Sequence, residues 1–449
     1  MKHILIVTYG FPPANNMAAH RNHIRAKGFD EQGYRVSVVT RCWQQGQTGA
    51  APLTDTSPLE ITSEKMFSNT TVYRVPFGPD RLAGLNVAQA AVLRLRRWLG
   101  HRRCPALLKR TLENFCFFTC PLDYAFRLAV QPADLACRLE SPPDFVLASG
   151  DPWSNFELGR ELAAFFRAKY IAEYRDPWNY TDEKFRIDGF NAYNANLVSR
   201  LKRGLSARRE RRVNQGADLI IAASPPFLEN ALAMTGAQSG LVVTNGFDRA
   251  EIDAVKTDKY DRFTLCYVGT IYSQQRAEIF FQALQNFLDK HGIDPKEICV
   301  KMIGSKFSHG FDRTMKRIQA CRDHLQILEF PDRVAKEESL KIQKSSSVLL
   351  FFAHEKSVGI IPGKFFEYIA VGIPVLLVPS DRGVLADIIR QTGTGSVCDT
   401  VEETVEFLEQ AYFSWKKTGR VLYSPDRKAI ERYSYQEITQ MLIRRLEAT

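Results

Sequence analysis

The feature that most constrains this chain is one event repeated along its length. A short aliphatic run ends, and small or polar residues follow at once. In the first half ILIVTY runs into GFPPANNMAAHR, VSVVT into RCW, FVLA into SGDPW, YIAEY into RDPW, LIIAA into SPP and LVVT into NGFD. In the second half TLCYV leads to GT, VKMI to GSKF, LQILEF to PDR, SVLLFFA to HEKSVG and VLLV to PSDRG. The runs are rich in β-branched residues and do not alternate with polar ones, the pattern of strands covered on both faces. Helical patterns separate them at Ala18–Gln32, Phe156–Ala168, Gln275–Lys290 and Gly363–Val371. Strand and helix in alternation imply an α/β fold of right-handed βαβ units with parallel sheets. All strands of such a sheet finish at one edge, so the polar segments should share one rim, where ligands of open α/β sheets bind.

The series divides near Val243-Thr244-Asn245-Gly246. A first domain is expected over 1–244, a second over 245–425, and a closing helix over 426–449 that crosses back to the first. Phe247–Arg262 is polar and charged and reads as a linker. Residues 50–139 break the rhythm with seven prolines and a basic stretch from Arg94 to Arg110, and read as a partly helical insertion. The chain has 449 residues, 45% hydrophobic and 24% charged, which excludes a disordered chain or a long coiled coil. No stretch approaches the roughly 20 apolar residues that span a bilayer. The opening MKHILIVTYGFPP reads as a buried first strand and not an export signal.

Sixty Lys and Arg against 50 Asp and Glu give a net charge of +10, which favours an anionic partner. The nine cysteines are scattered without a C-x-x-C, so reduced thiols are expected and a zinc site is not. His20, His23, His309 and His354 lack ligand spacing, and no H-E-x-x-H occurs. Two basic clusters stand out. Residues 94–118 interleave arginines with Leu95, Trp98, Leu99 and then Phe115, Phe117 and Phe118, a composition suited to an anionic membrane surface. The second, Arg200–Arg212, reads as the solvated face of a charged helix. No recognised nucleic-acid module is present, so nucleic acid is not expected as a partner.

The most informative segment is GIIPGKFFEYIAVGIPVLLV. Pro362 and Gly363 open a helix and Gly372 can end it. Lys364 and Glu367 are three apart and should share a helix face. Free amides at the helix start suit an anion, and Lys364 adds charge there. On spacing alone, a surface Lys–Glu pair fits as well.

The stretch EYIAVGIPV resembles the second half of the E-x7-E motif of retaining GT-B glycosyltransferases, in the family 4-like group and its variant with a PGK-FFE donor loop. GFPP after the first strand, RDPW, NGFD and YVGTIYSQQR extend the resemblance along most of the chain, except residues 50–139. The resemblance implies two facing Rossmann-like domains with a cleft between them, no bound metal and no cofactor. It assigns the donor ribose to Glu367 and the donor diphosphate to the loop ahead of it, through the amides of Ile361 and Gly363 and through Lys364. Where the motif has its first glutamate, this chain has Gly359.

The same resemblance places Gly269, Thr270 and Arg276 at the diphosphate, with Ser305 and Arg333 on the nucleotide side. In the first domain Asn16 and Arg21 lie in the acceptor or phosphate loop, and Arg21 also fits a plain helix-face arginine. Asp151 and Arg175 are expected at the acceptor, and Asp176 is the candidate catalytic residue. A turn aspartate is the other reading of Asp176, because the proline after it forces it out of helical geometry. Trp153 and Trp178 would stack on a sugar or plug the domain edge.

The expected reaction is transfer of a sugar, with retention, from a nucleoside diphosphate-sugar to an acceptor hydroxyl. The expected acceptor is a lipid-linked saccharide in bacterial surface polysaccharide synthesis, such as capsule or lipopolysaccharide. The expected location is cytoplasmic, peripheral on the inner face of the membrane. A sugar-nucleotide epimerase and a catalytically silent binding module of the same fold are the alternatives.

Overall fold

The computed structural model describes residues 1–43, 60–77, 127–150, 152–182, 197–272, 275–305, 327–354 and 358–449. They fall into two compact units, Met1–Val243 with Thr439–Thr449, and Thr244–Ile438.

Unit 1 runs β1 (His3–Val7), α1 (Met17–Glu31), β2 (Arg35–Arg41), β3 (Thr62–Lys65), β4 (Thr70–Val75), α2 (Pro132–Ala136), β5 (Phe145–Ser149), α3 (Ser154–Phe166), β6 (Lys169–Tyr174), α4 (Leu197–Asn214), β7 (Leu219–Ala222), α5 (Pro225–Thr235) and β8 (Gly240–Val242). Its sheet has the order β3-β4-β2-β1-β5-β6-β7-β8. Only β3, among the described strands, is antiparallel to its neighbour. β1 and β5 are buried at every position, as their unbroken aliphatic runs require.

The insertion expected over 50–139 is corrected by β3 and β4. β4 continues the sheet, pairing in parallel with β2 from Val36↔Thr70 to Arg41↔Val75. Its sequence TTVYRV mixes Thr and Arg with apolar residues and is covered less completely than the central strands, so it lacks their signature. Most of the remainder, including the basic-apolar stretch 94–118, lies outside the described residues.

Unit 2 runs α6 (Arg249–Ala254), β9 (Phe263–Val268), α7 (Glu278–His291), β10 (Ile298–Ile303), β11 (Leu328–Glu329), α8 (Lys336–Ser345), β12 (Val348–Phe351), α9 (Gly363–Ala370), β13 (Val375–Leu377), α10 (Val384–Thr392), β14 (Gly395–Val397), α11 (Val401–Thr418) and α12 (Arg427–Glu431). All its strand pairs are parallel, in the order β11-β10-β9-β12-β13-β14. Phe280, Phe287, Leu408 and Tyr412 from α7 and α11 pack one core. Phe365, Phe366, Leu385 and Ile389 from α9 and α10 pack the other. Burial on both faces is why VLLF in β12 carries no polar residue. The order is that of a doubly wound sheet whose direction of winding reverses between β9 and β12.

Two further expectations are corrected. The stretch read as a linker holds α6, capped by the Asp248 side chain on Glu251 N. The single closing helix is two, α12 and α13 (Tyr435–Glu447), separated at 432–434. The end of α13 belongs to unit 1, where Glu447 accepts from Tyr34 Oη at 2.9 Å and Arg445 donates to Ser239 Oγ at 2.7 Å. Among the described residues no helix is long and apolar enough to cross a membrane.

Candidate active site

In unit 2 the reversal between β9 and β12 brings three loops together. Pro362 caps α9 through its backbone and no side chain caps the helix, so the amides at its start have no side-chain acceptor. Lys364, in the first turn, reaches back to β9. Its Nζ donates to the Val268 carbonyl at 2.7 Å and lies 4.0 Å from the centroid of the Tyr267 ring and 5.3 Å from that of Phe351. No carboxylate among the described residues pairs with it. Enclosure of the ammonium pushes its pKa down to about 7, although the residue as a whole is only half-buried.

Gly269 follows β9 with φ of 114°, and a side chain there would begin 3.1 Å from the Lys364 ammonium. The Thr270 carbonyl accepts from Tyr267 Oη at 2.8 Å, and its hydroxyl accepts from Arg333 Nη2 at 3.3 Å. Arg333 in turn lies against Gly304, just after β10. Lys364, Gly269, Thr270 and Arg333 therefore form one continuous group, with Ile361 buried and Gly363 opening the helix beside it.

The other expected donor residues are placed differently. Ser305 is buried, and its hydroxyl donates to the Met302 carbonyl at 2.9 Å, an internal bond. Arg276 sits ahead of α7 with Nε 3.8 Å from Glu278. Glu367 is one turn beyond Lys364, yet the two side chains engage different partners. Glu367 lies 3.2 Å from Lys336 Nζ, which also binds Glu251 at 2.6 Å. Burial raises the Glu367 pKa against the pull of Lys336. Gly359, expected from the resemblance to stand at the motif's first-glutamate position, has φ of 90°, a conformation that disfavours a side chain such as glutamate's.

Several site residues escaped the sequence reading. Tyr368 Oη accepts from Val268 N at 2.7 Å. Gln275 is buried, accepting from Tyr272 N at 2.9 Å and donating to the Phe352 carbonyl at 2.6 Å, so it ties the loop after β9 to the end of β12. The rings of His354 and Tyr272 lie 5.4 Å apart, and burial followed by the nearby Lys364 lowers the His354 pKa. Lys336, from a helix of mixed charge, carried no signal separating it from its exposed neighbours.

In unit 1 winding reverses between β1 and β5. Asn16 is the N-cap of α1, accepting from Ala19 N at 2.9 Å, so its side chain is already engaged in the helix. Arg21 is not on an open helix face. It is buried, with Nη2 3.4 Å from Ser149 Oγ and Nε 3.9 Å from Glu173. Arg25 Nη2 meets the same carboxylate at 2.7 Å. Burial alone would raise the Glu173 pKa, but Arg25 and Arg21 outweigh it and hold it at about 2. Burial lowers Arg21 to about 10 against the pull of Glu173. Two cations thus share one anion, and Arg21 Nε has no hydrogen bond.

Asp176 lies 3.9 Å from Arg175 Nε, and its pKa is raised by burial despite Arg175 and Arg21. The loop that carries it is tied down behind. Asn179 Nδ2 donates to Glu210 at 2.7 Å, Asn230 Nδ2 donates to the Asn179 carbonyl at 2.8 Å, and Thr181 N donates to Asn230 at 2.9 Å. Burial pushes Glu210 up to about 8. Trp153 and Trp178 stack on each other, 5.5 Å apart and 6° from parallel, and Trp178 is buried. Asp151 lies outside the described residues.

Residues 25–246 match the family model of the glycosyl transferase 4-like domain. Solved structures similar to the chain include sucrose-phosphate synthase from Thermosynechococcus elongatus, at 13% identity, TM-score 0.58 and full coverage of both chains. Anabaena Alr3699/HepE in complex with UDP is similar at 11% identity, TM-score 0.56 and full coverage of both. Trehalose-6-phosphate synthase OtsA is similar at 12% identity and TM-score 0.60, covering 100% of this chain and 99% of that one. No curated protein sequence matches. By fold the chain is a GT-B protein with two Rossmann-like domains. The domain match and the fold together indicate a glycosyltransferase of the GT4 type.

Two outcomes follow from this geometry. Glu173→Gln leaves two buried guanidiniums without an anion and should cost about 3–5 kcal/mol in denaturant unfolding at neutral pH. Because the folded carboxyl sits at about 2, below its ordinary 4.5, the gap to wild type should narrow as pH falls from 4.5 toward 2. Gly269→Ala forces a side chain into a positive-φ position against Lys364. It should cost about 1–3 kcal/mol of stability in denaturant unfolding.

Proposed function

We propose that unit 2 binds a nucleoside diphosphate-sugar at the carboxyl ends of β9 and β12, and that the sugar passes, with retention, to a hydroxyl held at the carboxyl rim of unit 1. The observation that carries this reading is the Lys364 ammonium, enclosed beside a glycine and a helix start with no carboxylate among the described residues to neutralise it. An anion there restores the balance that burial upsets. As the bond to the leaving diphosphate breaks, Lys364, the amides of Gly363 and Lys364, and Arg333 stabilise the growing charge. Arg276 would serve the same phosphates after turning from Glu278. Glu367, steadied by Lys336, would accept hydrogen bonds from ribose hydroxyls. This reading assigns the phosphate charge to protein cations and needs no metal. Asp176, on its anchored loop, would orient the acceptor hydroxyl.

The acceptor in this reading is a lipid-linked saccharide of a bacterial surface polysaccharide, met at the cytoplasmic face of the membrane. A phosphorylated sugar is a second acceptor class. The similar structures named for sucrose-phosphate and trehalose-6-phosphate synthesis suggest it. The surplus cation of the Arg21–Arg25–Glu173 group, which suits an acceptor bearing phosphate, favours it too.

A thermal-shift panel of UDP, GDP, dTDP, ADP and CMP should give one dominant hit, with UDP the first candidate. Lys364→Met and Arg333→Met should each reduce that hit, and undiminished shifts in both would remove the donor assignment. Affinity for the nucleotide-sugar should also depend on pH. Lys364 is charged below about 7 in the free protein, and a bound diphosphate raises its pKa. Binding above that value therefore takes up a proton. Calorimetry between about pH 6 and about pH 9 should show affinity falling as pH rises, with a flatter profile in Lys364→Met.

A further inference from the structure

The helix read from its sequence as a solvated charged face presents something else. α4 carries seven basic residues and one acid, Glu210, which is turned inward and buried. Arg203 and Arg209 also turn inward, over the rings of Tyr180 and Trp178. The outer surface is left to Leu197, Val198, Leu201 and Leu205, exposed by 80%, 39%, 56% and 46%. Arg200, Arg208, Arg211 and Arg212 are exposed on the same side, and none has an ion-pair partner among the described residues. Positions 197, 201, 205, 208 and 212 fall on one stripe at helical spacing. A solvated charged helix gains nothing from three leucines along that stripe.

We infer that the outer face of α4 lies on a bilayer surface rich in anionic headgroups, its leucines entering the acyl boundary and its arginines meeting the phosphates. Charge complementarity supports this: exposed leucines at 197, 201 and 205 are followed on the same stripe by the exposed Arg208 and Arg212, a pairing of apolar and cationic groups that suits an anionic headgroup layer. The exposed face has no acidic residue, which also argues against a symmetric contact with a second copy. Such a contact places the same arginines against one another. The inference is independent of the donor assignment, and it rests on other residues than 94–118.

The test is sedimentation of the full chain with vesicles of phosphatidylcholine alone and of phosphatidylcholine with phosphatidylglycerol. Wild type should partition onto the anionic vesicles, and less at high salt. The triple variants Leu197→Ser/Leu201→Ser/Leu205→Ser and Arg208→Ser/Arg211→Ser/Arg212→Ser should each lower that partitioning at least about tenfold. Their melting curves and nucleotide shifts should match wild type, because the altered side chains are exposed. The inference fails if wild type ignores anionic vesicles, or if either variant partitions as wild type does, an outcome that would return membrane contact to residues 94–118. It fails equally if wild type is a dimer that the leucine variant dissociates while neither protein binds vesicles.

Discussion

Parallel strands covered on both faces leave a protein one place to set polar chemistry, the loops beyond their carboxyl ends. Each sheet here obeys that constraint. In unit 2, β9 is hydrogen-bonded to β10 on one side and β12 on the other, so the loop after β9 is flanked by connections that leave in opposite directions. The gap this creates is where Gly269, Thr270 and Lys364 meet. In unit 1 the same reversal beside β1 assembles Arg21, Ser149 and Glu173 from three elements.

The two groups solve the problem of buried charge in opposite ways. Glu173 is held ionised by two arginines, which fix α1 to β6 at the cost of a surplus cation. Lys364 has rings, a carbonyl and a helix start for company, but no carboxylate among the described residues. A paired buried charge is a structural tie whose loss is felt as instability. An unpaired one is poised for a ligand of opposite sign and titrates near neutrality until that ligand arrives. On this contrast, the Glu173 group reads as scaffold with one spare cation, and the Lys364 group as a receptor.

Much of the fold could be read directly from residue pattern, because burial on two faces writes itself as unbroken aliphatic runs. β4 escaped because its TTVYRV lies toward the sheet's edge and tolerates Thr and Arg. α6 escaped because a helix of six residues is too short to show a period. At the site, Lys364, Gly269 and Thr270 could be named because they follow strand ends or open a helix. Their partners Tyr267, Tyr368 and Gln275 could not, since aromatic and amide residues inside elements resemble ordinary core. Asn16 and Ser305 were named for their place in loops, yet their side chains serve a helix cap and a local backbone bond.

The sequence by itself determined the alternation of strand and helix, the parallel sheets and the rim on which chemistry sits, since these follow from short-range periodicity and burial. Tertiary structure alone decided which charges found partners. It gave Glu367 to Lys336, shared Glu173 between two arginines, set Lys364 against rings and a carbonyl and turned the leucines of α4 outward. Electrostatic pairing depends on distances across elements far apart in the chain, and no local pattern encodes them.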